Sequence, residues 1–278
     1  MRHAQFEFRA PGSSSECGAS CTILSLIVAG AIGDMVEEIK AERKALEAKN
    51  VEKALDIAIA NVIGRSLKKH HRIIFGGDGY SQDWVAEAAR RGLPNLSDTV
   101  EALKVYNNDK NRALWTKYSV LSDVELDARV NIQLHAWTQQ TFVESTVLAK
   151  IVRQNVIPAV FKQQQQVATS LIAVQQALGV TASDKKDGLL GQQREQLAAL
   201  SAELDKLIQQ TEVLEAVLAE AHQRAKQDPE EHHELAEYVR DHVRAAAKEV
   251  RATADHLELQ VDDALWELPK YEEILFIK

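Results

Sequence analysis

Hydrophobic residues recur at helical spacing along most of the chain. Residues 19–46 carry apolar side chains every three or four positions, which predicts a first helix whose second half is exposed. Asn50 is predicted to cap a second helix, with a buried apolar stripe between Val51 and Leu67. Three further helix starts are predicted from capping residues at Ser81, Asp98 and Ser122.

The second half of the chain reads as long helices with few interruptions. The pattern that starts at Ser122 resumes beyond Pro158, so we expect a kink there rather than a break. A loop at residues 179–191 precedes a run with the three-four alternation of a coiled-coil seam, and a further helix is expected to start at Asp228-Pro229-Glu230. The seam comprises Leu197, Leu200, Leu204, Leu207, Thr211, Leu214, Leu218 and Ala221.

Two long helices joined by a short polar loop predict an antiparallel hairpin. The seam is expected to be filled by neighbouring helices of the same chain, because a helix partner follows at once along the sequence. Pairing of the seam with a second chain is the alternative.

Composition narrows the possible classes of protein. The chain has 278 residues, of which 45% are hydrophobic and 27% charged, which is typical of a folded protein. A formal net charge of -8 disfavours nucleic acid and anionic membranes as partners.

The apolar run at residues 24–32 is shorter than the roughly 20 residues of a membrane span, so no membrane-spanning helix is expected. The two cysteines, Cys17 and Cys21, form no disulfide framework and favour a cytoplasmic location.

The segment Phe6-Glu7-Phe8-Arg9 carries the main candidate chemistry. Its alternation predicts a short strand with Glu7 and Arg9 on one face. A carboxylate beside a guanidinium suits a site for a divalent metal and an anionic substrate, but four residues alone favour a surface ion pair. The glycine-rich turn at residues 76–79 lacks the Gly-Lys-Ser/Thr ending of a phosphate-binding loop.

Several motifs resemble those of type III glutamine synthetases. The sequence FEFRAPGSS at residues 6–14 is similar to the family's FEFR-x-x-GSS. The stretches 68–96 and 120–132 each resemble a motif of the same family, as does NVIPAV around Pro158. Gly18-Ala19-Ser20 stands where the family usually has Gly-Pro-Asn. The resemblance covers essentially the whole chain and identifies it as the C-terminal part of such an enzyme.

This resemblance implies a mainly α fold in two parts. Residues 1–121 would be the end of the glutamine synthetase catalytic α/β domain, with one short strand plus helices. Residues 122–278 would be a helical bundle with a long antiparallel coiled hairpin, the C-terminal domain of the type III family.

The resemblance also implies a reaction, the ATP-dependent condensation of glutamate with ammonia through a γ-glutamyl phosphate. Glu7 matches a metal-ligand glutamate, and Arg9 matches the arginine that contacts glutamate or its phosphoryl group. The family's cofactors are ATP and Mg²⁺ or Mn²⁺. Its ATP contacts and remaining metal ligands lie upstream of FEFR, so this chain alone is expected to be inactive and to bind no cofactor tightly.

Three roles remain open at this point. The chain could be part of an enzyme, assembling with the missing half or with full-length synthetase subunits in a homo- or hetero-oligomer. It could be a stand-alone helical module that docks on a full-length synthetase or another partner. It could also be a remnant with no present role.

Overall fold

The described part of the chain is mainly helical and contains no strand. The computed structural model describes residues 16–179, 190–269 and 271–275. The mainly α class is therefore confirmed, whereas the predicted strand at Phe6–Arg9 lies outside the described residues. The chain divides into two compact units between Ala128 and Arg129. The identity of the two predicted domains, 1–121 and 122–278, stays a prediction.

The first unit consists of short and medium helices joined by capped turns. The side chain of Ser81 accepts a hydrogen bond from the Trp84 amide, and that of Asp98 accepts one from the Glu101 amide, as predicted. The helices of this unit are α1 (Gly18–Glu47), α2 (Ala54–His70), α3 (Gln82–Arg90), α4 (Thr99–Tyr106) and α5 (Asp109–Lys117). A 3-10 turn at His71–Ile73 follows α2.

The next helix, α6 (Asp123–Ile151), starts with the capping box expected at Ser122. The Ser122 amide donates to Glu125 Oε2 at 2.9 Å, and the Glu125 amide donates to Ser122 Oγ at 3.4 Å. The cap predicted at Asn50 is wrong. Asn50 has a φ of 54°, and α2 begins only after Lys53, whose φ is 57° and whose side chain forms no cap hydrogen bond.

The predicted burial of α2 is only partly confirmed. Ala58 and Val62 are buried, but Ile59, Ile63 and Leu67 are exposed. Among the described helices α2 packs chiefly against α1, and the Glu42 carboxylate on α1 accepts hydrogen bonds from Asn61 and Arg65 on α2. A single helical neighbour covers one narrow face, so the rest of the apolar stripe stays open.

The core of the first unit lies where α5 contacts α1. Leu26 and Trp115 are buried there together with Leu126. The Tyr118 hydroxyl donates to the Ala29 carbonyl at 3.1 Å, and Lys117 pairs with Asp34 at 3.2 Å. These polar contacts fix the end of α5 on the surface of α1.

The second unit contains the long helices. Pro158 lies in the first turn of its helix, and a π-helical turn at Val152–Val156 joins that helix to α6, so the chain stays helical as expected. A second π-helical turn occupies Val239–Arg244. The remaining helices are α7 (Ile157–Leu178), α8 (Gly191–Gln227), α9 (His232–Tyr238), α10 (Ala245–Glu258) and α11 (Tyr271–Leu275).

Helix α8 buries the predicted seam inside the chain. Every seam residue from Leu200 to Ala221 is buried, and the neighbours are α7 and α10. Glu203 pairs with His256, whereas Arg224 lies 4.1 Å from the Tyr238 ring. Helix α8 therefore runs opposite to α9 and α10, while the coiled geometry of the hairpin stays a prediction.

The start of the last long helical segment differs from the expectation. Helix α9 begins at His232 and not at Asp228-Pro229-Glu230. The reason is the Glu231 side chain, which accepts hydrogen bonds from the amides of His233 and Glu234 and so acts as the N-cap.

Helix α1 also corrects the expectation that no segment could span a membrane. By length and composition alone, α1 is long and apolar enough to cross a membrane. It is the single helix among the described residues with this property. Core helices of soluble proteins have the same length and composition, so this property does not identify a membrane protein.

Candidate functional site

The two residues with the clearest predicted chemistry lie outside the described residues. Glu7 and Arg9 therefore stay predictions, both as a strand face and as a metal and substrate site. In the described ranges no three histidine, cysteine or acidic side chains are grouped so that they could hold a metal ion. Cys17 and Cys21, at the start of α1, are exposed free thiols.

Helix α1 presents an apolar face that the other described helices leave partly exposed. We call Leu24, Ile27, Val28, Ile32 and Val36 the open face of α1. Their exposed fractions range from 36% to 57%. Leu26 and Gly30 are the buried residues of this 30-residue helix. Large apolar residues at this spacing are typical of a helix side that packs against protein.

The connection between α2 and α3, residues 71–81, is ordered by polar contacts rather than by burial. We call it the α2–α3 loop. The Arg91 guanidinium donates to the carbonyls of Arg72 at 3.2 Å and Ile74 at 2.7 Å. Phe75 stacks on Trp84 with ring centroids 4.4 Å apart, and Arg91 lies 5.7 Å from each ring. The Arg91 side chain, which follows the last residue of α3, thereby fixes the first half of the loop.

Carboxylate and hydroxyl groups fix the second half of the loop. The Tyr80 amide donates to Asp78 Oδ1 at 2.9 Å, and Ser81 Oγ donates to the Asp78 carbonyl at 2.8 Å. Gly77 lies so near the Phe75 ring that an added Cβ would come within 2.6 Å of it. Any larger residue at position 77 would therefore displace the stacked ring.

Glu87 anchors Arg91 from the middle of α3. Its carboxylate accepts hydrogen bonds from both Arg90 and Arg91. The Arg90 guanidinium, followed by that of Arg91, lowers the pKa of Glu87 to about 2. The anchor is therefore ionised at every physiological pH.

A groove in the first unit is lined by cationic side chains and by the acidic side chains of Asp34 and Glu38. It has a volume of about 1070 Å³ and lies between α1, the end of α2 and α5. Lys69, His70 and Lys110 line it beside an apolar floor that includes Ile27 and Leu114.

Comparison with known proteins gives a consistent result. A profile of the family described as "Glutamine synthetase C-terminal domain" matches residues 58–175. The type-3 glutamine synthetase of Dictyostelium discoideum is 34% identical over 274 residues, and the glutamine synthetase of Bacteroides fragilis is 30% identical over 274 residues. Each alignment covers 99% of this chain and 35% or 36% of the relative. The chain belongs to the type III glutamine synthetase family. A glutamine synthetase of Butyrivibrio fibrisolvens is 25% identical over 218 residues, which are 78% of this chain and 29% of that protein.

The chain spans about a third of the length of the curated synthetases that it matches, and it corresponds to their C-terminal portion. The profile match begins inside α2 and ends inside α7, so it includes the whole α2–α3 loop. The open face of α1 lies N-terminal to the profile match but within the longer alignments, which cover nearly the whole chain.

Sequence reasoning missed the role of Arg91. The Glu87–Arg91 spacing of four residues indicates an ion pair along a helix, and this signal was available. The two carbonyl acceptors lie 17 and 19 residues earlier in the chain and leave no trace in the sequence.

Proposed function

We propose that this chain acts as the C-terminal part of a glutamate–ammonia ligase of the type III family. The observation that carries the proposal is the alignment of 99% of the chain with the Dictyostelium type-3 glutamine synthetase. In this role Glu7 supplies one carboxylate ligand to a divalent cation. Arg9 supplies paired donors to glutamate or its phosphoryl group.

The chemistry of these two side chains supports their roles. A carboxylate oxygen is the ligand that Mg²⁺ and Mn²⁺ prefer. A guanidinium can hold an anionic oxygen pair in a fixed orientation and stabilise the charge that grows there during phosphoryl transfer. When bound, the divalent cation would neutralise charge on the phosphate oxygens. One carboxylate is too few ligands for a cation, so the remainder would come from the rest of the synthetase.

Residues 1–278 tested by themselves are expected to form no glutamine and to bind neither ATP nor the divalent cation tightly. The reason is that, by resemblance to the family, the ATP contacts and remaining metal ligands would lie in the part of the synthetase that this chain does not span. The measurement is glutamine formation by the purified chain with ATP, Mg²⁺, glutamate and ammonia. A rate above that of the Glu7→Ala variant would contradict the expectation.

A chimera tests the proposed roles of Glu7 and Arg9. This chain would replace the matching 274 residues of the Dictyostelium relative. We expect the chimera to form glutamine and the Glu7→Gln and Arg9→Lys variants to lose about 100-fold or more of the activity. Glu16→Gln, at an exposed position just before α1, is the matched control and should leave the rate unchanged. Full activity in Glu7→Gln would overturn the metal-ligand role.

The open face of α1 favours a second role, docking on another part of the synthetase. The face is apolar, and the other described helices leave it partly exposed. We expect Val28→Asp with Ile32→Asp to abolish copurification with the upstream part of the relative. Val213→Asp, on an exposed position of α8, is the control. Equal copurification of both variants would rule out docking through α1.

We propose a cytoplasmic location for either role, which is consistent with the exposed free thiols of Cys17 and Cys21.

A further inference from the structure

The α2–α3 loop combines a fixed backbone with an exposed surface. Its backbone is held by Arg91, Asp78 and Ser81, as described above. Its apolar side chains nevertheless point to solvent: Ile73 and Ile74 are each 58% exposed, and Tyr80 is 83% exposed. Fixing a loop costs conformational entropy that is normally offset by burying its apolar side chains. Here polar contacts order the loop and leave its apolar side chains available for binding.

A continuous run of basic residues, three of them lysine or arginine and two histidine, precedes and includes the start of this loop. Lys68, Lys69, His70, His71 and Arg72 are all exposed. Within the described residues Lys68 and Lys69 form no ion pair, whereas the neighbouring Arg65 is paired with Glu42. The surface made by residues 68–74 and 80 is therefore basic and aliphatic with one aromatic ring. We call it the basic loop surface.

The C-terminal segment of the same chain has the complementary character. Residues 262–275 contain five acidic residues and one lysine. Asp262 and Glu267 are exposed, and the aliphatic side chains of Ile274 and Leu275 are 57% and 74% exposed. An acidic segment with exposed aliphatic side chains matches the basic loop surface in both charge and apolar character.

We propose that the basic loop surface of one copy binds the acidic segment 262–275 of a second copy. Opposite charges would guide the encounter, and the exposed aliphatic and aromatic side chains would be removed from water in the complex. Because the backbone of the loop is already fixed, little ordering of the loop is needed on binding. The proposal is independent of the ligase role and of the open face of α1.

The test is a charge exchange measured by sedimentation velocity over a range of concentrations. The native chain is expected to self-associate, with a dissociation constant that rises in high salt. Lys68→Glu with Lys69→Glu should raise this constant by about tenfold or more. Glu267→Lys with Glu273→Lys should do the same. Mixing these two variants should restore association, because each reversed surface then meets one of opposite sign.

A matched control has the same change of charge elsewhere. Lys44→Glu with Lys49→Glu alters exposed lysines near the α1–α2 turn, at the opposite end of α2 from the basic loop surface. This variant should associate like the native chain, and circular dichroism should show equal helix content in all variants. A native chain that stays monomeric at every concentration would overturn the proposal. The proposal would also be overturned if the control variant weakened self-association equally, or if the two mixed variants failed to associate.

Discussion

Arg91 connects three parts of the first unit at the scale of a single side chain. It reaches two loop carbonyls, the Glu87 carboxylate and the stacked Phe75 and Trp84 rings. Only a guanidinium has several donors in one plane together with a flat surface that stacks on aromatic rings. Lysine has the same charge but cannot reproduce this set of contacts.

We therefore expect Arg91→Lys to destabilise the loop by about 1–3 kcal/mol. Arg90→Lys is the matched control, because Arg90 binds the same carboxylate from a side chain that is 72% exposed, and it should leave the stability nearly unchanged. The measurement is urea unfolding followed by near-ultraviolet circular dichroism, which reports on Trp84. Equal losses in both variants would show that the carbonyl contacts of Arg91 contribute nothing.

The Glu87 carboxylate gives a prediction for acid pH. Its pKa is lowered from 4.5 to about 2, so the ion pair contributes fully above pH 4.5 and is lost as the pH falls through about 2. A carbon-detected NMR titration should give a midpoint near 2 for Glu87. In Arg90→Ala the midpoint should move towards 4.5. A midpoint near 4.5 in the native chain would contradict the pairing.

At the scale of helices, the close contact of α1 with α5 depends on glycine. A Cβ added at Gly33 would overlap the Tyr118 hydroxyl oxygen, which donates to the Ala29 carbonyl. Gly33→Ala should therefore displace Tyr118 and cost about 1–3 kcal/mol. Gly64→Ala in α2 meets nothing within 4 Å and should be neutral or stabilising by up to about 1 kcal/mol. Chemical denaturation compares the two variants, and equal stabilities would contradict the steric argument.

Helices also show how far the sequence determines the fold. The caps at Ser81, Asp98 and Ser122 were predictable because each depends on residues only three positions apart. The buried stripe of α8 was predictable because one period runs along the whole helix. The exposure of the apolar side chains of α2 was not predictable, since it depends on how many other helices cover α2. Nothing in the described residues could test the roles of Glu7 and Arg9.

At the scale of the whole chain, the two units differ in how much apolar surface they bury. The first unit has a small core around Leu26, Trp115 and Leu126, whereas the second buries the long seam of α8 between α7 and α10. We expect amides in residues 18–67 to exchange with solvent faster than those in residues 123–178 and 191–258. Hydrogen exchange read by mass spectrometry tests this order. Equal protection of α1 and α8 would show that the open face is covered in solution.

The π-helical turn at Val152–Val156 has a consequence for which insertions and deletions the second unit can accept. A turn of this kind holds about one residue more than an α-helical turn, so each of its residues rotates the following side chains by less than the roughly 100° of an α-helix. Removing one residue there would turn the segment into ordinary α-helix. Val160, which is buried together with the seam of α8, would then keep nearly the same orientation, because the loss of one residue and the larger rotation per residue offset each other. The turn thus accommodates one extra residue without changing the phase between two halves of one continuous helix, so the loss of one residue is more acceptable there than in the regular turns of α6 or α7.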